Sequence, residues 1–94
     1  MLYKSIDVWK RLNSESAIRY RCFHVIDENK YCVQNADFYR LPLDDKQINQ
    51  FNIQFLELLL EVEPTERCDL YDSLEEAINE HDKEFGFNKI IYLK

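Results

Sequence analysis

One glycine and two prolines in 94 residues leave little room for linkers, low-complexity runs or glycine-built sites. Neither a GxGxxG fingerprint nor a phosphate-cradling P-loop can exist with a single glycine. The longest leucine run is Leu58-Leu59-Leu60, far short of the roughly 20 apolar residues a membrane helix needs. The start, MLYKSIDVWKRL, interleaves lysines with apolar residues and does not read as a signal peptide. Three cysteines cannot all pair, and none lies in a CxxC motif, so a reduced, cytoplasmic setting is expected.

What is present is ordinary for one globular domain spanning residues 1–94: 46% hydrophobic and 32% charged. The net charge of −6 is unevenly spread. Residues 1–47 hold 8 Lys/Arg against 7 Asp/Glu, a balance of +1; residues 48–94 hold 4 against 11, a balance of −7. Nucleic acid would be repelled by the second half, which argues against it as a partner.

The element order reads β-β-β-α-(β)-α-β. Leu2, Ile6, Val8 and Leu12 share one parity of a first strand. Residues 17–26 and 31–40 are rich in aromatic and β-branched side chains and flank a turn at Asp27-Glu28-Asn29-Lys30, completing a three-stranded antiparallel meander. Asp44 fits a helix N-cap, with Gln47 in capping-box position and Leu43/Ile48 spaced as a hydrophobic staple. That helix should stop near Val62, because Pro64 disfavours helical geometry at Glu63. Residues 67–70 suit a short strand or link. Ser73 and Glu76 form a second capping box, opening a helix that Gly86 would close, and residues 90–93 suit a strand buried on both faces. The fold class is therefore α+β, with two helices expected on one face of a mostly antiparallel sheet.

The long helix carries two apolar stripes. Ile48, Phe51, Phe55, Leu59 and Val62 form one; Ile53, Leu56 and Leu60 form another about 100° round. One sheet cannot cover both, so the second stripe predicts self-association as a homodimer, through these residues or the sheet face near Trp9.

The stretch RYRCFHVIDENKYCVQNADFYR raises the chemical questions. Metal ligation would draw on Cys22, His24, Cys32, Cys68 and His81, but no close ligand pair has zinc spacing, and no metal or other cofactor is expected. A thiol enzyme would need Cys22 or Cys32 beside His24 and Asp37, with no glycine-rich turn at hand to hold an oxyanion. Single-strand nucleic-acid binding would stack bases on Tyr20, Phe23, Tyr31, Phe38 and Tyr39 beside Arg19, Arg21 and Arg40, yet no RNP1 pattern of basic residue, glycine and aromatics is present. The second helix lines up Glu76, Glu80 and Glu84 at i, i+4, i+8, where like charges repel. The expectation is a small, non-enzymatic protein-interaction module. Its partner surface would include Trp9, Arg19 and Arg21 or the Glu76/Glu80/Glu84 row, and a regulator or inhibitor of a basic protein is one form of it.

Overall fold

The computed structural model describes residues 1–85 and has the α+β architecture read from the sequence: a three-stranded antiparallel sheet followed by helices. Strands β1 (Tyr3–Arg11), β2 (Ser16–Val25) and β3 (Lys30–Arg40) lie side by side in that order, with β2 in the centre. The β2–β3 turn sits one residue earlier than expected, so that Lys30 already belongs to β3. Asn29 takes the left-handed conformation (φ 51°) that asparagine tolerates, and its side-chain oxygen meets His24 Nε2 at 2.9 Å.

The register fixes which residues share a face. On β1–β2, Val8 faces Tyr20, Trp9 faces Arg19 and Asp7 faces Arg21. On β2–β3, Tyr20 faces Ala36 and Arg21 faces Asn35, but Cys22 then faces Val33, leaving Gln34 as the extra residue of a β-bulge.

Because adjacent strand residues point to opposite sides, β2 feeds two cores. Ile18, Tyr20 and Cys22 join Val33 and Ala77 on one side, with Ile6, Val8, Leu74 and Ile78 packed against them. Phe23 and Val25 join Cys32 on the other, with Tyr3, Phe55, Leu59, Cys68 and Leu70. The first core is roofed by α3 (Leu74–Phe85) and the second by α1 (Asp45–Glu61) and the segment after α2 (Pro64–Arg67). The two long helices thus lie on opposite faces, not on the single face expected. The reason is that β2 is apolar at both parities, so each side of it demands cover.

Asp44 caps α1, its carboxylate accepting from the Lys46 N–H at 2.9 Å, and Ser73 Oγ caps α3 by accepting from the Glu76 N–H at 3.1 Å. Pro64 ends the reach of α1 and opens α2, where a proline lacks only a donor that a first turn leaves unpaired. Downstream, the link at residues 68–73 pairs its backbone with β3 at one bridge, in which Tyr31 and Tyr71 exchange two hydrogen bonds of 2.8 Å. The strand expected at residues 90–93 and the Gly86 cap lie outside the described residues.

Candidate functional site

The arginines singled out in the sequence are held by the protein itself. Arg21 is only 6% exposed and lies under α1, where its Nε donates to Asp37 Oδ2 at 2.9 Å and its Nη2 to Asn52 Oδ1 at 2.6 Å. Its guanidinium also sits 4.9 Å from the centre of the Phe55 ring. A buried, paired arginine offers no surface to a partner. Arg19, two residues along the same face, is 3.9 Å from Asp37 and 4.0 Å from Asp7, and donates to the Tyr39 hydroxyl. Its guanidinium lies 5.1 Å from the Trp9 ring centre and 5.3 Å from that of Tyr39. The two rings are themselves 5.4 Å apart, and Tyr39 meets Phe51 of α1 edge-on.

Register explains this ladder. Trp9 and Arg19 are cross-strand partners, as are Arg19 and Asp37, so aromatic, cation and carboxylate fall in one row across the sheet. At its end Trp9 stays 55% exposed beside an open groove of about 340 Å³ lined with Tyr39, Leu41, Leu43, Arg11 and Arg40. Leu41 and Leu43 are exposed as well.

On α1 the second stripe stands in solvent: Ile53 is 51% exposed, Leu56 55% and Leu60 84%. No residue of α1 is fully buried. Helix α3 cannot cover this stripe, because it packs on the other side of the sheet.

The carboxylates of α3 collect around Tyr71. Its phenol pKa is raised, by burial first and then by Asp69, Glu80, Glu84 and Glu76. Glu76 and Glu84 are exposed, whereas Glu80 is half-buried and accepts from Lys83 Nζ at 3.2 Å. Asp82 belongs to a different environment. It is buried and accepts from the Tyr20 hydroxyl at 2.8 Å, with Lys10 Nζ at 3.9 Å. Burial, then the neighbouring carboxylate of Asp82, raises the Tyr20 pKa. His81 lies edge-on to Tyr20 and against Phe85, and burial lowers its pKa.

The thiol chemistry considered from the sequence is not assembled as drawn. Cys22 and His24 share one face of β2, whereas Asp37 lies on the other with Arg21. His24 stacks on Tyr31 at 4.7 Å. Cys22 is fully buried and its thiol pKa is pushed up to about 12, by burial and then by Asp7. Tyr20 and Phe23, proposed as stacking platforms, are interior residues. Among the described residues no group of three or more His, Cys, Asp or Glu side chains is placed to hold a metal ion, and no helix is long and apolar enough to cross a membrane.

Sequence reasoning missed one pairing. Cys32 and Cys68 come together in the second core, where each thiol shifts the pKa of the other, Cys32 upward and Cys68 downward. Their separation of 36 positions hides the contact, and only the register of β3 against the link after α2 brings them together. No protein-family model, no curated protein and no solved structure matches this chain.

Proposed function

We propose that this chain is a small, non-enzymatic protein-interaction module that self-associates through α1. The observation that supports the reading is the exposed stripe of Ile53, Leu56 and Leu60, which α3 lies on the wrong side of the sheet to cover. Each such side chain gains about 1.5–3 kcal/mol on burial, so three left in water are a standing drive toward association. A two-fold pairing of the stripe with itself satisfies both copies at once, and such pairings are the commonest closed assemblies.

The groove beside Trp9 supplies a second surface, on which a different protein is the proposed occupant. Trp, Tyr and Arg are the residue types that dominate binding hot spots, and here all three are stacked in place before any partner arrives. The carboxylates around Tyr71 favour a basic partner over nucleic acid. The burial of Arg21, Tyr20 and Phe23 takes the main stacking elements away from a single strand.

Light scattering at about 100 μM chain, well above the micromolar Kd of a modest interface, tests the reading. A dimer mass for the wild type and a folded monomer for Leu60→Glu are expected. A wild-type monomer at that concentration overturns self-association through α1.

A further inference from the structure

At the β3 edge of the sheet, between the link after α2 and α3, lies a cavity of about 230 Å³ lined by Val33, Gln34, Arg67, Cys68, His81 and Glu84, among others. Cys68 is half-buried at its wall, whereas Cys32 is fully buried in the core cluster against which Cys68 packs. Cys68 thus lines the cavity, and Cys32 is closed off from solvent. Cys22 cannot join them, since it faces Val33 and projects from the opposite side of the sheet to Cys32.

We propose that Cys68 and Cys32 form a hydroperoxide-reactive dithiol, with Cys68 as the attacking sulfur and Cys32 as the resolving one. The proposal is independent of the interaction surfaces described above.

The chemistry balances with the peroxide as the only oxidant. The Cys68 thiolate attacks one peroxide oxygen; an S–O bond forms, the O–O bond breaks, and the departing oxyanion leaves as water or alcohol after taking a proton. Cys68 is then a sulfenic acid. Cys32 gives up its proton and its sulfur attacks that of Cys68; the S–S bond forms, the S–O bond breaks, and the hydroxyl leaves with the proton as water. Two thiols are oxidised to one disulfide while one peroxide is reduced.

The environment suits these roles. Thiolate, not thiol, is the nucleophile, and thiolates are favoured by donors and nearby cations. The hydrogen bond from Cys32 and, after the opposing effect of burial, the Arg67 guanidinium lower the Cys68 pKa. The same contact and burial raise that of Cys32, which keeps its proton until it is needed.

The sequence makes the test direct. Trypsin leaves the three cysteines in separate peptides, residues 22–30, 31–40 and 68–83. The reduced full-length chain, treated with hydrogen peroxide under native conditions and quenched with an alkylating reagent, should yield peptide 31–40 linked to 68–83. In Cys32→Ser, and equally in Cys32→Ala as a check against a folding defect, dimedone should trap a sulfenic acid at Cys68. Absence of the 31–40/68–83 link, a link through peptide 22–30, or oxidation of Cys68 that stops short of a disulfide in the wild type would each overturn the assignment.

Discussion

Arg21 and Asp37 form a buried ion pair at 2.9 Å beneath α1, and Asp37 serves a second guanidinium, that of Arg19, 3.9 Å away. The pair is therefore asymmetric. Removing Asp37 leaves two cations without their shared anion, one of them buried, whereas removing Arg21 leaves Asp37 with Arg19. Breaking a buried pair costs roughly 3–5 kcal/mol. Asp37→Ala is expected at the upper end of that range and Arg21→Ala below it, measured by urea unfolding. Equal losses would show that Arg19 does not share the carboxylate.

Tyr20 and Asp82 carry the same kind of dependence on the other side of the sheet. Their 2.8 Å hydrogen bond ties central strand to α3, and both groups are buried. Tyr20→Phe removes the donor and nothing else of consequence. A bond to a charged group contributes about 1.5–3 kcal/mol, and a loss in that range is expected from the unfolding midpoint. The companion Asp82→Asn should cost less in the Phe background than with Tyr20 present, because the charge-assisted bond that it weakens is already absent there.

Stability should fall as the solution is acidified through the histidine range. Burial lowers the pKa of His81 in the folded protein, against the opposing carboxylates of Asp82 and Glu84. The unfolded chain then binds a proton more readily than the folded one. The contribution is therefore fully present above the ordinary histidine value of about 6.5 and is lost as pH drops below it. Melting temperatures of wild type and His81→Gln between pH 7.5 and 5.5 should show a shallower slope in the variant. Parallel slopes would place the effect elsewhere.

Trp9 is the sole tryptophan, so its emission reports on the aromatic ladder alone. Arg19→Ala deletes the guanidinium that packs against both the Trp9 and the Tyr39 ring. The expected result is red-shifted emission with a stability loss of at least the ~0.5–1 kcal/mol of an exposed cation–π contact. Unchanged emission would mean that Tyr39 holds the indole by itself.

Much of the fold was legible because local signals agreed. Asp44 and Ser73 announce helix starts by hydrogen bonds made within a few residues, and the alternation of Ile6 and Val8 is likewise local. The placement of the helices was not legible from such signals. It depends on Ile18, Tyr20 and Cys22 burying one face of β2 while Phe23 and Val25 bury the other. The apolar run from Cys22 to Ile26, interrupted only by His24, was the available hint of a strand covered on both sides. Of the candidate surface, Trp9 and the α1 stripe could be read from sequence because exposure there follows from periodicity. The burial of Arg21 could not, since it requires Asp37 and Asn52 to arrive from 16 and 31 residues away.

The extra residue at Gln34 acts as a phase shifter in β3. Before it, odd-numbered Tyr31 and Val33 point toward α3; after it, even-numbered Ala36 and Phe38 do. Both halves of the strand feed one core only because the count slips by one between them. Substituting Gln34 leaves that count intact. Deleting it would turn the bulge into an ordinary alternation, with Val33 and Ala36 two positions apart and still on the face toward α3, and Cys32 still on the side of Cys68. The strand's side-chain pattern therefore tolerates losing this residue but not losing the bulge around it.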